Sequence, residues 1–205
     1  MDLLRERPAK LFGRYLLPSV SATLVTSIYI IADTIMIGRG VGADALVALN
    51  LVRPLFSLRF AFGMLFGVGG GVLYSVAQGA GDGARARSAF STALAAAAVT
   101  AAVLAVLATL FLRPLAFALG ADGTNIGMVL EYGSYMAHFA PVFLFSTFLQ
   151  AFVRNDRDPK RAMAAVLGGA VLNIIFDYIF IFHLGMGMAG GAAATVMGNT
   201  LTVLL

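Results

Sequence analysis

The chain has 205 residues, 60% of them hydrophobic and only 12% charged, with a mean hydropathy of +0.91. A soluble domain of this length carries about twice that charge fraction, so the composition describes an integral membrane protein. The net charge of +4 does not point to a nucleic-acid partner, because the basic residues gather in short loops between apolar spans. The absence of cysteine excludes disulfides and thiolate metal sites, and two isolated histidines do not make a dedicated zinc site.

Six apolar spans, each long enough to cross a bilayer core of about 30 Å, are expected at Leu11–Gly38, Ala45–Ala77, Ser88–Leu112, Asn125–Phe152, Ala162–Leu184 and Met188–Leu205. The first is too long for a signal peptide, contains Asp33, and runs into Gly-Arg-Gly rather than a small-residue cleavage pattern. It carries Pro18, which removes a backbone hydrogen bond and permits a kink. It also carries Ser19, Thr23, Thr26 and Asp33 near one stripe, with Tyr29 four residues before Asp33. The second span repeats Gly63, Gly67 and Gly71 every four residues, a spacing that lets helices approach closely. Its Arg59 falls near the bilayer middle and must face a cavity or an acid.

Between the second and third spans, Gly79-Ala80-Gly81-Asp82 matches the GxGD pattern of intramembrane aspartyl proteases. No second carboxylate is placed to share a proton with Asp82, so the match supports no enzyme; no catalytic constellation is present elsewhere. The fourth span holds Tyr132 about seven residues from its start, His138 as a packed or cavity-facing imidazole, Pro141, which like Pro18 permits a kink, and Glu131 near the interface. The fifth pairs Asn173 with Asp177 at i,i+4, on one helix face. The sixth carries Thr195, Asn199 and Thr202 at helical spacing. It reaches Leu205 with no polar flank, which reads as a fragment cut in the middle of a helix.

Orientation follows from the short-loop basic residues. One side has ten, at Arg5, Arg7, Lys10, Arg14, Arg85, Arg87, Arg154, Arg157, Lys160 and Arg161, against Arg39 and Arg113 on the other. The N-terminus is therefore expected in the cytoplasm. At about 1.5 Å rise per residue, Asp33, Asp177, Thr195 and Tyr132 then fall at similar depth in the outer leaflet. Ionised carboxylates there cost roughly 2.5–3.5 kcal/mol on insertion scales, so such groups usually line a cavity or ion path. Carboxylate, amide and hydroxyl oxygens are hard ligands suited to a proton or small cation. Interhelical hydrogen bonding alone is the simpler account for the Ser and Thr hydroxyls; it explains two carboxylates less well.

These residues resemble the multidrug and toxic compound extrusion (MATE) family. Pro18 with Asp33-Thr34-Ile35-Met36-Ile37-Gly38 is similar to that family's first helix. Gly79-Ala80-Gly81-Asp82 with Ala86 and Phe90 resembles its second loop. Asn173 through Asp177, then Gly187 through Thr195, is similar to its fifth and sixth helices. The resemblance implies an all-α integral membrane fold in which residues 1–205 form the N-terminal six-helix lobe of a two-lobe, twelve-helix transporter. The C-terminal lobe is then absent from this chain. It further implies a cation- or proton-coupling site built from Asp33, Asn173, Asp177 and Thr195, with Tyr132 nearby. Position along the helices adds Tyr29, Asn199 and Pro18 as accessory residues, and burial is expected to let the two carboxyls share one proton.

The function implied is antiport of cationic or amphipathic organic compounds against H⁺ or Na⁺ in the plasma membrane, with no cofactor beyond the coupling ion. The expected partners are small organic cations, the bilayer and the C-terminal lobe. Arg59 departs from the small or apolar residue expected there. Two alternatives are a lipid-linked saccharide flippase of related architecture, which Arg53 and Arg59 favour through a cationic cleft, and a non-transporting membrane fragment.

Overall fold

The computed structural model describes residues 8–156 and 158–205, with the side chains of 8–11, 14 and 15 left out. Arg5, Arg7 and Arg157, and the side chains of Lys10 and Arg14, therefore lie outside the described residues. The described residues contain no strand. They form α1 (Pro8–Gly40), α2 (Ala43–Gly79), α3 (Gly83–Ala118), α4 (Ile126–His138), α5 (Ala140–Asn155), α6 (Pro159–Asp177), a π-helical turn (Tyr178–His183) and α7 (Gly187–Leu204).

Four helical segments are long and apolar enough to cross a membrane by themselves: α1, α2, α3, and α6 with its π-helical turn. Large apolar side chains such as Leu24, Ile28, Leu65, Val99 and Leu110 remain exposed along them. The faces they form suit lipid rather than water.

The expected fourth span is two helices, α4 and α5, bent by 55°. Pro141 sits in the first turn of α5, where its missing N–H costs least, so the chain breaks at Phe139 instead of bending within one helix. The expected sixth span is α7. It is a helix of mostly small and apolar residues that also carries three threonines and Asn199, and much of it is buried against its neighbours.

The loops are shorter than the sequence suggests. Arg39, Arg85, Arg87 and Arg113 lie on helices rather than between them, as suits a good helix former beyond the apolar core. Asp82 is part of that tightening: its Oδ1 accepts from the Arg85 N–H at 2.9 Å and caps α3. A structural cap accounts for the GxGD string.

α2 packs on α3 and α5, α6 packs on α7 and α1, and α4 closes against α3, α7 and α2. The Gly63/Gly67/Gly71 row carries the α2–α5 contact. A Cβ on Gly67 would meet the Ala151 Cβ at 2.8 Å and the Phe148 carbonyl oxygen at 3.0 Å. The approach of α6 to α7 is closer still, since a Cβ on Gly198 would lie 2.6 Å from the Gly169 carbonyl oxygen. Phe90, Phe148 and Phe152 fill the space between α2, α3 and α5, with centroids 4.9–6.3 Å apart. Tyr132 anchors a second core, joined by Ile37, Val52, Met136 and Met188.

Candidate functional site

Four helices contribute to one buried polar cluster. Asp33 lies seven residues before the end of α1, and Asp177 closes α6 just before the π-helical turn. Thr195 is eight residues into α7, and Tyr132 is six into α4. Each is therefore about 9–12 Å of helix rise from the same end of the bundle. The depth grouping expected from spacing is the arrangement observed.

Asp33, Tyr132, Asn173, Asp177 and Thr195 are all buried. The two carboxyl groups are within hydrogen-bond reach of each other. The Asn173 amide satisfies its neighbours in one orientation, donating to Asp177 Oδ2 at 3.3 Å and accepting from the Thr195 N–H at 3.2 Å. Thr195 Oγ1 donates to the Gly191 carbonyl at 2.9 Å and is within reach of the Tyr132 hydroxyl. Among the described residues, Asp33 Oδ1 and Asp177 Oδ1 have no hydrogen-bond partner. A buried carboxylate oxygen without a donor carries a desolvation cost, and a proton or hard cation can satisfy it.

Local packing holds α1 against this cluster. A Cβ on Gly40 would overlap Ile181 of the π-helical turn, and one on Gly191 would touch Ile37 at 3.0 Å. The π-helical turn has no counterpart in the sequence reading. It follows directly on Asp177, and such insertions frequently occur at functional sites.

The accessory residues divide. Tyr29 is near enough to Asp33 to feel its charge, and it also lines the adjacent cleft. Asn199 lines the cleft as well, its amide donating to the Thr195 carbonyl at 2.9 Å. Pro18 is fifteen residues before Asp33 inside α1, about 22 Å along the helix, and does not belong to the cluster. His138 is exposed at the α4–α5 break, its Nδ1 2.7 Å from the Ser134 carbonyl oxygen. Glu131 is exposed yet not merely solvated: its Oε1 accepts from the Ala189 N–H at 3.2 Å, at the start of α7.

The cleft beside the cluster has a volume of about 400 Å³, and Phe56, Phe60, Met64, Gln150, Arg154 and Asn199 are among its lining. Thr23, Thr26 and Ser27 face it while donating to carbonyls of their own helix. Arg154, expected in a loop, lies instead in the last turn of α5. It is half-buried, with Nε donating to the Gln150 carbonyl at 3.1 Å. Its facing is not legible from sequence, because a basic residue at a helix end suits solvent equally well.

Arg59 does not line this cleft. It is 2% exposed, and its guanidinium lies 5.9 Å from the ring centroids of both Phe56 and Phe143. It borders a separate apolar groove. It therefore gives no support to a cationic cleft, and the acid its depth called for is replaced by two aromatic faces.

The MatE family profile matches residues 18–179. The multidrug export protein MepA of Staphylococcus aureus (strain MRSA252) is 29% identical over 95% of this chain and 43% of its own length. An outward-facing structure of a multidrug resistance MATE family transporter of the MOP superfamily superposes with a TM-score of 0.88. It is 29% identical, over 98% of this chain and 45% of that one. A MOP superfamily transporter from Pyrococcus furiosus Vc1 (DSM3638), whose reverse binding-pocket polarity suggests a different function, also gives 0.88. It is 28% identical, over 98% of this chain and 44% of that one. The chain thus spans under half the length of these relatives.

Proposed function

Because this chain belongs to the MatE family, we propose that it is the N-terminal lobe of a secondary antiporter that exports cationic or amphipathic organic compounds in exchange for H⁺ or Na⁺. The observation carrying this reading is the Asp33–Asp177 pair, two buried carboxyls within hydrogen-bond reach on different helices. Such a pair shares a single proton, or holds a small cation between its oxygens. With neither present, two ionised carboxylates about 4 Å apart repel by roughly 4 kcal/mol at an effective dielectric near 20.

Asp33 belongs to α1 and Asp177 to α6, so the repulsion acts across the contact between those helices. Cation loading favours the closed packing, and release favours an arrangement in which α1 moves away. An organic substrate that binds one arrangement better than the other is thereby exchanged for the cation. Asn173, Thr195 and Tyr132 orient the pair, and Tyr29 and Asn199 connect it to the cleft. A C-terminal lobe closes the cleft from the far side. We assign the N-terminus to the cytoplasm on the loop-charge asymmetry, and the protein to the plasma membrane on its family.

The test is transport by the full-length protein in liposomes, with a pH or Na⁺ gradient imposed and a cationic dye followed. Dye movement that tracks either gradient supports the reading and identifies the ion. Movement indifferent to both overturns it. Arg154, a guanidinium in the cleft, favours a second reading: a flippase for lipid-linked saccharides with anionic head groups. Translocation of such a lipid with no response to the dye would establish that reading instead.

A further inference from the structure

A groove of about 490 Å³ runs between α2 and α3, away from the cleft and the carboxylate pair. That volume is typical of small-molecule sites, roughly 300–1,000 Å³. Leu55, Leu58, Leu104, Leu107 and Phe111 are among its lining, and Arg59 is its one charged residue. Leu58, Leu107 and Phe111 are each about half exposed, so the groove opens on the apolar surface that α3 presents to lipid.

Arg59 makes this more than a gap between helices. Its Nη1 and Nη2 are buried and, among the described residues, have no hydrogen-bond acceptor. Phe56 and Phe143 offer it only their ring faces. A planar guanidinium with free N–H groups in an apolar setting matches a carboxylate, which it can engage through two parallel hydrogen bonds once the side chain turns from the two rings into the groove. Arg59 is sixteen residues into α2, about 24 Å along the helix. That places it well below the interface where phospholipid phosphates reside. A single-chain carboxylic acid has a head group small enough to reach this depth from the bilayer, and a body apolar enough to fill the groove.

We propose that the α2–α3 groove is a binding site for a long-chain fatty acid, whose carboxylate pairs with Arg59 while its chain lies along Leu58, Leu107 and Phe111. The groove shares no lining residue with the cleft, although Phe56 and Phe143 beneath the guanidinium also line the cleft, and the proposal does not depend on the direction or chemistry of transport.

The probe is a diazirine-bearing palmitate, photolysed with the full-length protein in detergent and mapped by peptide sequencing. Labelling is expected in the α2 and α3 peptides bordering the groove. It should fall at least tenfold in Arg59→Met and by less in Arg59→Lys, which keeps the charge but not the paired hydrogen bonds. Excess palmitate should compete and methyl palmitate should not. Equal labelling of Arg59→Met, or equal competition by the neutral ester or by phosphatidylglycerol, overturns the proposal. Ala108→Phe is read in parallel, because it fills the groove and leaves Arg59 in place. Loss of labelling there supports the site, and unchanged labelling overturns it whatever becomes of the Arg59 variants.

Discussion

Replacing Asp177 by Asn keeps the shape of the side chain but removes one ionisable group from the buried pair. On the proposed coupling, loss of the shared proton or cation from the wild-type protein leaves two neighbouring carboxylates ionised, a repulsion of roughly 4 kcal/mol at about 4 Å and an effective dielectric near 20. At 1.4 kcal/mol per factor of ten, that shifts the balance between two helix arrangements by nearly a thousandfold. In Asp177→Asn the repulsion is gone, and the amide can donate to Asp33, within whose reach residue 177 already sits.

The α1–α6 contact in Asp177→Asn should therefore stay in the closed arrangement whatever the gradient. Asp33→Asn removes the same repulsion from the other side. Transport of a cationic dye by the full-length protein, driven by a pH or Na⁺ gradient in liposomes, should fall at least a hundredfold in both. Binding of the dye in the absence of a gradient should survive, since neither carboxylate is among the residues lining the cleft. Undiminished gradient-driven transport in both variants would show that the carboxyl pair does not couple transport to the gradient. Transport lost in only one would show that the two carboxyls do not act as a pair.

Gly198→Ala would place a Cβ 2.6 Å from the Gly169 carbonyl oxygen and 2.9 Å from the Asn173 Cβ. Forcing α6 and α7 apart should cost about 1–3 kcal/mol, read as a lower midpoint in thermal unfolding, and should weaken transport by displacing Asn173 from Asp177. Arg154→Ala removes a cation from the cleft and should lower the apparent KM for a cationic dye about fivefold, as expected for roughly 1 kcal/mol of like-charge repulsion in a wet site. An unchanged KM would mean that the substrate never approaches α5. In the α3–α4 loop, Asp122 accepts from the Thr124 hydroxyl and from the Thr124 and Asn125 N–H groups. These bonds, the Thr124 hydroxyl first, hold its carboxyl below the ordinary 3.8. A depressed carboxylate stabilises the fold above its unfolded value and loses that contribution as pH falls through the folded one. Asp122→Ala should therefore speed hydrogen exchange at Thr124 and Asn125 at neutral pH and converge with wild type in acid.

What the sequence determined is what one dimension can carry. The length of apolar runs marks the membrane-crossing helices. Carboxylates are so costly in such runs that Asp33 and Asp177 stand out, and counting along the helices groups them with Tyr132 and Thr195. Facing is another matter. In a soluble helix the polar stripe tells which side meets water, but here lipid and protein core are both apolar, so periodicity cannot separate them.

Packing in three dimensions therefore sets that Arg154 borders the cleft, that Arg59 borders the α2–α3 groove instead, and that the chain divides one expected span into α4 and α5 beside Pro141. It also decided the π-helical turn after Asp177 and the Gly169–Gly198 approach, both set by how neighbouring helices fit rather than by any residue's own preference. Asp33 and Asp177 could be singled out by what each costs alone. Their pairing is a property of packing.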